Sequence, residues 1–334
     1  MIKTKSFWKP FSICLLLLFV GFFINLRVGY TDMYFSEIWN TFWGGGDKTQ
    51  NFILFELRLP RSILAILVGI GLSVSGSVFQ AISKNDLADA GLLGVTSGGN
   101  LALLFCLMYV PNIMTSGVFI IPIISFLGAT ITSLFILKLT MLNSNTLSPM
   151  RLTLVGLSVG AGLNAFIVLF TMRLDPTQFS FINTWLIGSV ENSSWTKIYS
   201  LLPWIFLILA YFIVNSRWLD VLGLSDEVSI SLGANVKKQR IMYLFFATAL
   251  AAACVSMAGA IGFVGLICAH LSRRIYSPQH KYSIILSGLL GGVLLIYADM
   301  FSKILIEPLG LPIGIVVALI GSPYFLYLLM RMSK

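Results

Sequence analysis

The sequence predicts an all-α polytopic membrane protein. Only 10% of its 334 residues are charged, where a soluble domain carries about 25%. Hydrophobic residues make up 57% and the mean hydropathy is +0.91. Apolar runs of about 20 residues recur along the whole chain, the length at which a helix crosses a bilayer with its backbone groups satisfied internally. Little length remains for a separate soluble domain, so 1–334 is read as a single transmembrane domain.

In chain order, a basic segment (Lys3, Lys5, Lys9) precedes an apolar run from Phe11 to Leu26. No small-residue cleavage site follows, which predicts a retained first span rather than a signal peptide. Gly29 to Leu57 reads as a polar and aromatic loop. Arg58-Leu59-Pro60-Arg61 then presents two arginines around a proline, expected as exposed donors in a stiff turn. The second span, Ser62–Ser83, carries Gly69, Gly71, Ser73, Ser75, Gly76 and Ser77, which permit close helix packing. Gly91–Tyr109, Val118–Leu139 and Leu152–Met172 give spans three to five, with Asn143–Arg151 as a polar connection. Around Trp185, Gly188 and Trp195 a short interfacial helix and turn is expected. Tyr199–Asn215, Ile241–Ala258, a short segment from Gly262 to about Ile275, Ser283–Phe301 and Pro312–Met330 complete ten spans.

The charge distribution orients them. With ten spans and both termini cytoplasmic, fifteen of the 22 Lys and Arg residues fall on inner segments and seven on outer ones, as the positive-inside rule requires. The net charge of +9 is spread over many loops, which argues against nucleic acid as a partner. Cys14, Cys106, Cys254 and Cys268 all fall in apolar runs, with no metal-ligand spacing, and only His270 and His280 are present; no metal site and no cofactor is expected.

Ser216 to Arg240 is the longest polar segment between spans on the inner side, and it must lie in water because charges are costly in the bilayer. Within it Asp226 and Glu227 open a short run, DEVSISLGA, closed by Gly233 as a helix stop. A structured loop with basic residues at its end is a candidate docking surface for a soluble partner.

Seven stretches, in this order, resemble the permease subunits of the ATP-binding-cassette (ABC) importers for iron-siderophores and cobalamin, the FecCD-like permeases, among them those for ferric hydroxamates. They are RLPR at 58–61, NDLADAGLLGVTSGG at 85–99, WLIGSVENSSW at 185–195, LGLSDEVSISLG at 222–233, GAIGFVGLICAH at 259–270, ADMFSK at 298–303 and LPIGIVVALIGSPYFLYLL at 311–329. The resemblance implies a pathway between two permease subunits, two ATPase subunits on the cytoplasmic side, and an extracellular or periplasmic binding protein that delivers the ligand, all at the bacterial plasma membrane. It implies that Arg58, Arg61 and Lys303 meet carboxylates on the binding protein. Lysine at 303 keeps the charge but lacks the guanidinium fork. It places Asp226, Glu227, Leu232 and Gly233 on the ATPase, and a cytoplasmic gate at Leu147, Ser148, Pro149 and Met150. Ser158 and Asn164 would lie on the pathway helix. No GxxxxGK[ST] pattern occurs, so ATP hydrolysis is assigned to partner chains and the subunit is not expected to be an enzyme.

The chain departs from the family pattern at Asp86, Ala90 and Ala269, where prolines are usual, and near Ser283. Fewer fixed kinks suggest one half of a heterodimer with a stricter partner, the homodimer being the alternative. The expected cargo is a ferric siderophore, with hydroxamates as the preferred class and cobalamin or haem as runners-up. An ion-coupled transporter would need acidic groups near the midplane of broken helices, and only Asp299 lies well within a span. A membrane-embedded enzyme lacks any nucleophile–base pair. Within the membrane, Asn164 is expected to bond a neighbouring helix and Asp299 to pair with Lys303 at i+4.

Overall fold

The computed structural model describes residues 7–29, 33–110, 120–142, 148–276, 279–305 and 311–332. Lys3, Lys5, Val118, Asn143 and Leu147, all named above, lie outside these residues. Among the described residues every regular element is a helix, with no strand. The helices are α1 (Trp8–Arg27), α2 (Phe35–Phe42), α3 (Lys48–Asn51), α4 (Leu59–Ser83), α5 (Val95–Tyr109), α6 (Ile120–Met141), α7 (Pro149–Thr171), α8 (Pro176–Ile187), α9 (Trp195–Val214), α10 (Ser216–Leu222), α11 (Asp226–Ser231), α12 (Val236–Ala258), α13 (Val264–Ile275), α14 (His280–Leu305) and α15 (Ile313–Met332).

The core forms around α4, which buries 19 of its 25 residues against α12, α13 and α14. Its small residues set the distances. A Cβ added at Gly69 would stand 2.2 Å from the Gly291 carbonyl oxygen on α14, and one at Gly76 2.4 Å from Gly265 Cα on α13. The α4 serines turn inward: Ser73 Oγ donates to Gly69 O at 2.7 Å, and Ser287 Oγ of α14 donates to Ser73 O at 3.0 Å. Backbones in near contact maximise dispersion where lipid supplies no hydrophobic drive. By contrast α1, α6, α7 and α9 leave Leu16, Ile131, Leu157 and Phe206 exposed, as surfaces facing lipid or another subunit do.

Among the described residues eight helices are long and apolar enough to cross a membrane; α5, with 15 residues, and α13, with 12, are shorter. Both start late for a physical reason. The third span expected from Gly91 begins as a 3-10 turn, Ala90–Leu93, and breaks at Gly94 (φ 64) before α5. α13 starts after Phe263 (φ 66) and packs at Gly265 against Gly76, about 10 Å along α4 from Ser83 at 1.5 Å per residue. Asp89 joins the two starts: it accepts from Ala90 N at 2.7 Å and from the Phe263 backbone.

Two expectations need correction. The described part of the expected Gly29–Leu57 loop is largely helical, with Phe35–Phe42 and Lys48–Arg58 in helices. The side chain of Glu37 accepts from Tyr34 N at 2.7 Å and opens α2; that of Gln50 accepts from Asp47 N at 3.1 Å and opens α3. Second, Arg58–Arg61 is not a turn. Lys48–Ser83 is one continuous helix of 36 residues. Its Phe52–Arg58 portion is π-helical, Leu59 N bonding Leu54 O, and Pro60 falls in the first turn of α4. A widened turn accommodates a proline, which cannot donate to the i−4 carbonyl.

Candidate functional site

Two polar constellations stand at opposite ends of α4. At the Arg58 end, α1, α4 and α14 converge on a fully buried carboxylate, Asp299. Arg61 Nε donates to Asp299 Oδ1 at 2.8 Å; Lys303 Nζ, one turn further along α14, lies 2.9 Å from Oδ2. Asn25 of α1 donates through Nδ2 to Oδ2 at 3.1 Å and to Ile296 O at 2.9 Å, while its Oδ1 accepts from Lys303 and from Ser62. Arg58 is buried and donates to the α1 carbonyls of Leu26 and Arg27 at 2.7 and 2.9 Å, neutralising that helix's negative end. The three cations singled out from sequence are therefore brought together, but as internally engaged groups rather than free donors. The i+4 pairing of Asp299 with Lys303 is present.

At the Ser83 end stands the 216–240 segment. Asn215 O, at the end of α9, accepts from Tyr243 Oη at 2.5 Å. α10 is tied to the start of α14 by Asp220, whose Oδ1 accepts from His280 N at 2.9 Å and from His280 Nδ1 at 2.6 Å. Burial works to raise the Asp220 carboxyl's pKa, yet the hydrogen bonds from His280 prevail and hold it low. α11 opens on Ser225, whose Oγ accepts from Val228 N, and closes at Gly233 (φ 85) with Ala234 N bonding Ser229 O. This is the left-handed glycine stop expected from sequence. Asp226 is held by both terminal nitrogens of buried Arg240, at 3.0 and 2.6 Å, with Lys84 3.8 Å away. Hydrogen bonds from Arg240 thus keep the Asp226 carboxyl below its ordinary range. Lys84 Nζ also donates to Leu224 O at 2.6 Å, tying α4 to this segment. Ser229 Oγ donates to Val221 O at 2.8 Å and locks α11 on α10.

What remains outside is an apolar ridge. Leu224, Val228, Ile230 and Leu232 are 45%, 46%, 62% and 58% exposed, with Glu227 and Gly233 beside them. Asp226 thus anchors the element, whereas Glu227, Leu232 and Gly233 face away from the chain. A short helix, pinned at three points and greasy on its free side, can transmit force as a rigid body.

The expected gate and pathway residues are on α7. Ser148 precedes its first residue, Pro149, and Met150 is 72% exposed. Ser158 is exposed and bonds its own helix at Leu154 O. Asn164 bridges helices, its Oδ1 accepting from Ser97 Oγ of α5 at 3.1 Å, as anticipated. α7 buries only a narrow strip, Leu152, Gly156, Gly160, Ile167 and Thr171.

Sequence reading missed Asn25, the Asp220–His280 tie and the capping role of Asp89. A polar residue at the end of an otherwise apolar first span was a usable signal for Asn25; nothing in the spacing of 220 and 280 announced their contact. Among the described residues no group of three His, Cys, Asp or Glu side chains could hold a metal.

The fold and these two polar ends are those of a polytopic transport permease. The chain belongs to the FecCD transport family, whose profile matches residues 16–331. It is 37% identical to the iron(3+)-hydroxamate import system permease FhuG of Bacillus subtilis over 98% of this chain and 99% of that one. It is 33% identical to the iron-uptake system permease FeuC of the same organism, covering 98% of each. A metal-chelate type ABC transporter, solved inward-facing, superposes with a TM-score of 0.84 at 27% identity, over 96% of this chain and 98% of that one.

Proposed function

We propose that this chain is the membrane-spanning permease of an ABC importer that carries a ferric siderophore, of the hydroxamate class, across the bacterial plasma membrane. The observation that carries the reading is the rigid α10–α11 unit with its exposed Val228, Ile230 and Leu232, a shape suited to a groove on a soluble motor. ATP hydrolysis then resides on two partner chains, and the 216–240 segment lies in the cytoplasm with both termini of a ten-span chain. The exposed face of α7, including Ser158 and Asn164, meets a second permease along the pathway, with Ser148–Met150 at its inner mouth. The missing prolines at Asp86, Ala90 and Ala269 favour a different chain as that second permease.

Arg58, Arg61 and Lys303 form the receiving edge for the binding protein's carboxylates. Because Asp299 and the α1 carbonyls already engage them, docking exchanges one set of acceptors for another and sets register more than affinity. The cargo enters as a chelate with its metal sites filled, so the permease needs no metal ligands of its own. The test is Glu227→Arg in the reconstituted transporter. The protein should insert and assemble normally while ligand-stimulated ATP hydrolysis and chelate uptake fall to background. Uptake at the wild-type rate would refute the docking assignment; stimulation by cobalamin or haem but not by ferric hydroxamates would refute the cargo alone.

A further inference from the structure

Lys197 is the third residue of α9, a 20-residue apolar helix that opens at Trp195. Among the described residues its ammonium makes no ion pair, and its acceptor there is the Met257 carbonyl oxygen, 3.4 Å away in the last turn of α12. An ammonium has three donors, so two are left for something else. The side chain stands at the joint of two cavities and lines both. One, of about 710 Å³, is polar on the α8 side, with Thr177, Thr184, Ser194 and Glu191 in its wall. The other, of about 230 Å³, is an apolar cleft between α6, α9 and α12, walled by Phe126, Leu127, Trp204 and Ala253. Leu127 and Trp204 are 51% and 40% exposed, so the cleft opens on the chain's outer surface. The first turn of a span lies at headgroup level, where Trp195 and Tyr199 also belong.

We propose that this joint is a phospholipid site. The phosphodiester accepts from Lys197 Nζ, the headgroup occupies the polar chamber, and an acyl chain lies in the cleft beside Trp204. A free anion would satisfy the lysine but leave the apolar cleft without an occupant; an alkyl chain alone would leave the ammonium unanswered. One molecule that is anionic at one end and apolar at the other answers both. The inference concerns how the permease is held in its bilayer and is independent of which cargo it carries.

The test is quenching of tryptophan emission in the purified full chain by phosphatidylglycerol brominated on its acyl chains, titrated at fixed detergent. Saturable quenching is expected, with most of its amplitude lost in Trp204→Phe. Lys197→Met should weaken half-saturation about tenfold or more, and Lys197→Arg should keep it within about threefold, because a charge-assisted contact to phosphate is lost in one and retained in the other. If Lys197→Met fails to fold, Leu127→Phe, which narrows the cleft at an exposed position, should abolish the same signal. Three results would overturn the site: unchanged affinity in Lys197→Met, which leaves only unspecific boundary lipid; reversal of quenching by millimolar inorganic phosphate, which makes the chamber a free-anion pocket; or loss of quenching in the assembled transporter, which assigns the cleft to a second permease.

Discussion

Replacing Asp299 by leucine is the most informative single perturbation of the Arg58 end. The carboxylate is fully buried and touches Arg61 at 2.8 Å, Lys303 at 2.9 Å and Asn25 at 3.1 Å. Removing one partner of a buried ion pair costs about 3–5 kcal/mol, because the remaining charge is stranded. Two cations are stranded here. Lys303 has 9% of its side chain exposed and little route to water; Arg61, at 19%, has more and relieves part of the cost. Asp299→Leu should therefore lose roughly 3–4 kcal/mol of stability. Lys303→Met leaves Asp299 with Arg61 and Asn25 and should lose about 1.5–3 kcal/mol, the value of one charged hydrogen bond. The double variant strands only Arg61, so its loss should fall short of the sum by about 1–3 kcal/mol. Unfolding by sodium dodecyl sulfate in mixed micelles, followed by circular dichroism, measures all four corners of this cycle. A loss under about 1 kcal/mol for Asp299→Leu, or strict additivity, would refute the account of a shared buried carboxylate.

Other outcomes follow from the same geometry. Gly69→Ala should destabilise by about 1–3 kcal/mol, because its Cβ would meet a backbone oxygen at 2.2 Å that no rotamer can move, whereas Gly162→Ala, which meets nothing within 4 Å, should be neutral or stabilising in the same assay. The Asp226–Arg240 tie should be insensitive to pH across the neutral range. A carboxyl whose folded pKa is depressed contributes fully above its ordinary 3.8 and is lost only as pH falls through the lower folded value. Hydrogen exchange at the α11 amides should therefore stay constant from about pH 8 to about pH 5 once intrinsic rates are corrected. Loosening within that interval would refute the Asp226–Arg240 pair as the tie that holds α11.

The eight long helices were legible because lipid imposes one rule on them: a full span needs about 20 apolar residues. α11 and its Gly233 stop were legible for a local reason, since capping and a left-handed glycine are written in consecutive residues. The errors share the opposite cause. Phe35–Asn51 reads as loop by composition, yet Glu37 and Gln50 supply caps that composition hides. Arg58 reads as exposed because arginine at a helix start commonly is, and only the arrival of α1 carbonyls from thirty-two residues away buries it. Asp89 and Phe263 set where α5 and α13 begin, but the two are 174 positions apart and meet only when α4 and α13 have packed. The candidate site divides in the same way. The identities of Arg61, Asp299 and Lys303 were visible, and their mutual neutralisation was not, apart from the i+4 pair.

The seam between α4 and α14 has a mechanical corollary. Where Gly69 and Gly291 meet main chain to main chain, there are no flexible side chains to act as a cushion between the two rods. A tilt started at Lys84, where α4 is tied to the 216–240 segment, reaches Arg61 and Lys303 with no slack along the way. Whatever grips one end of this pair feels the other end at once; on the proposed function, ligand delivery and the motor stroke would read each other through a single stiff strut.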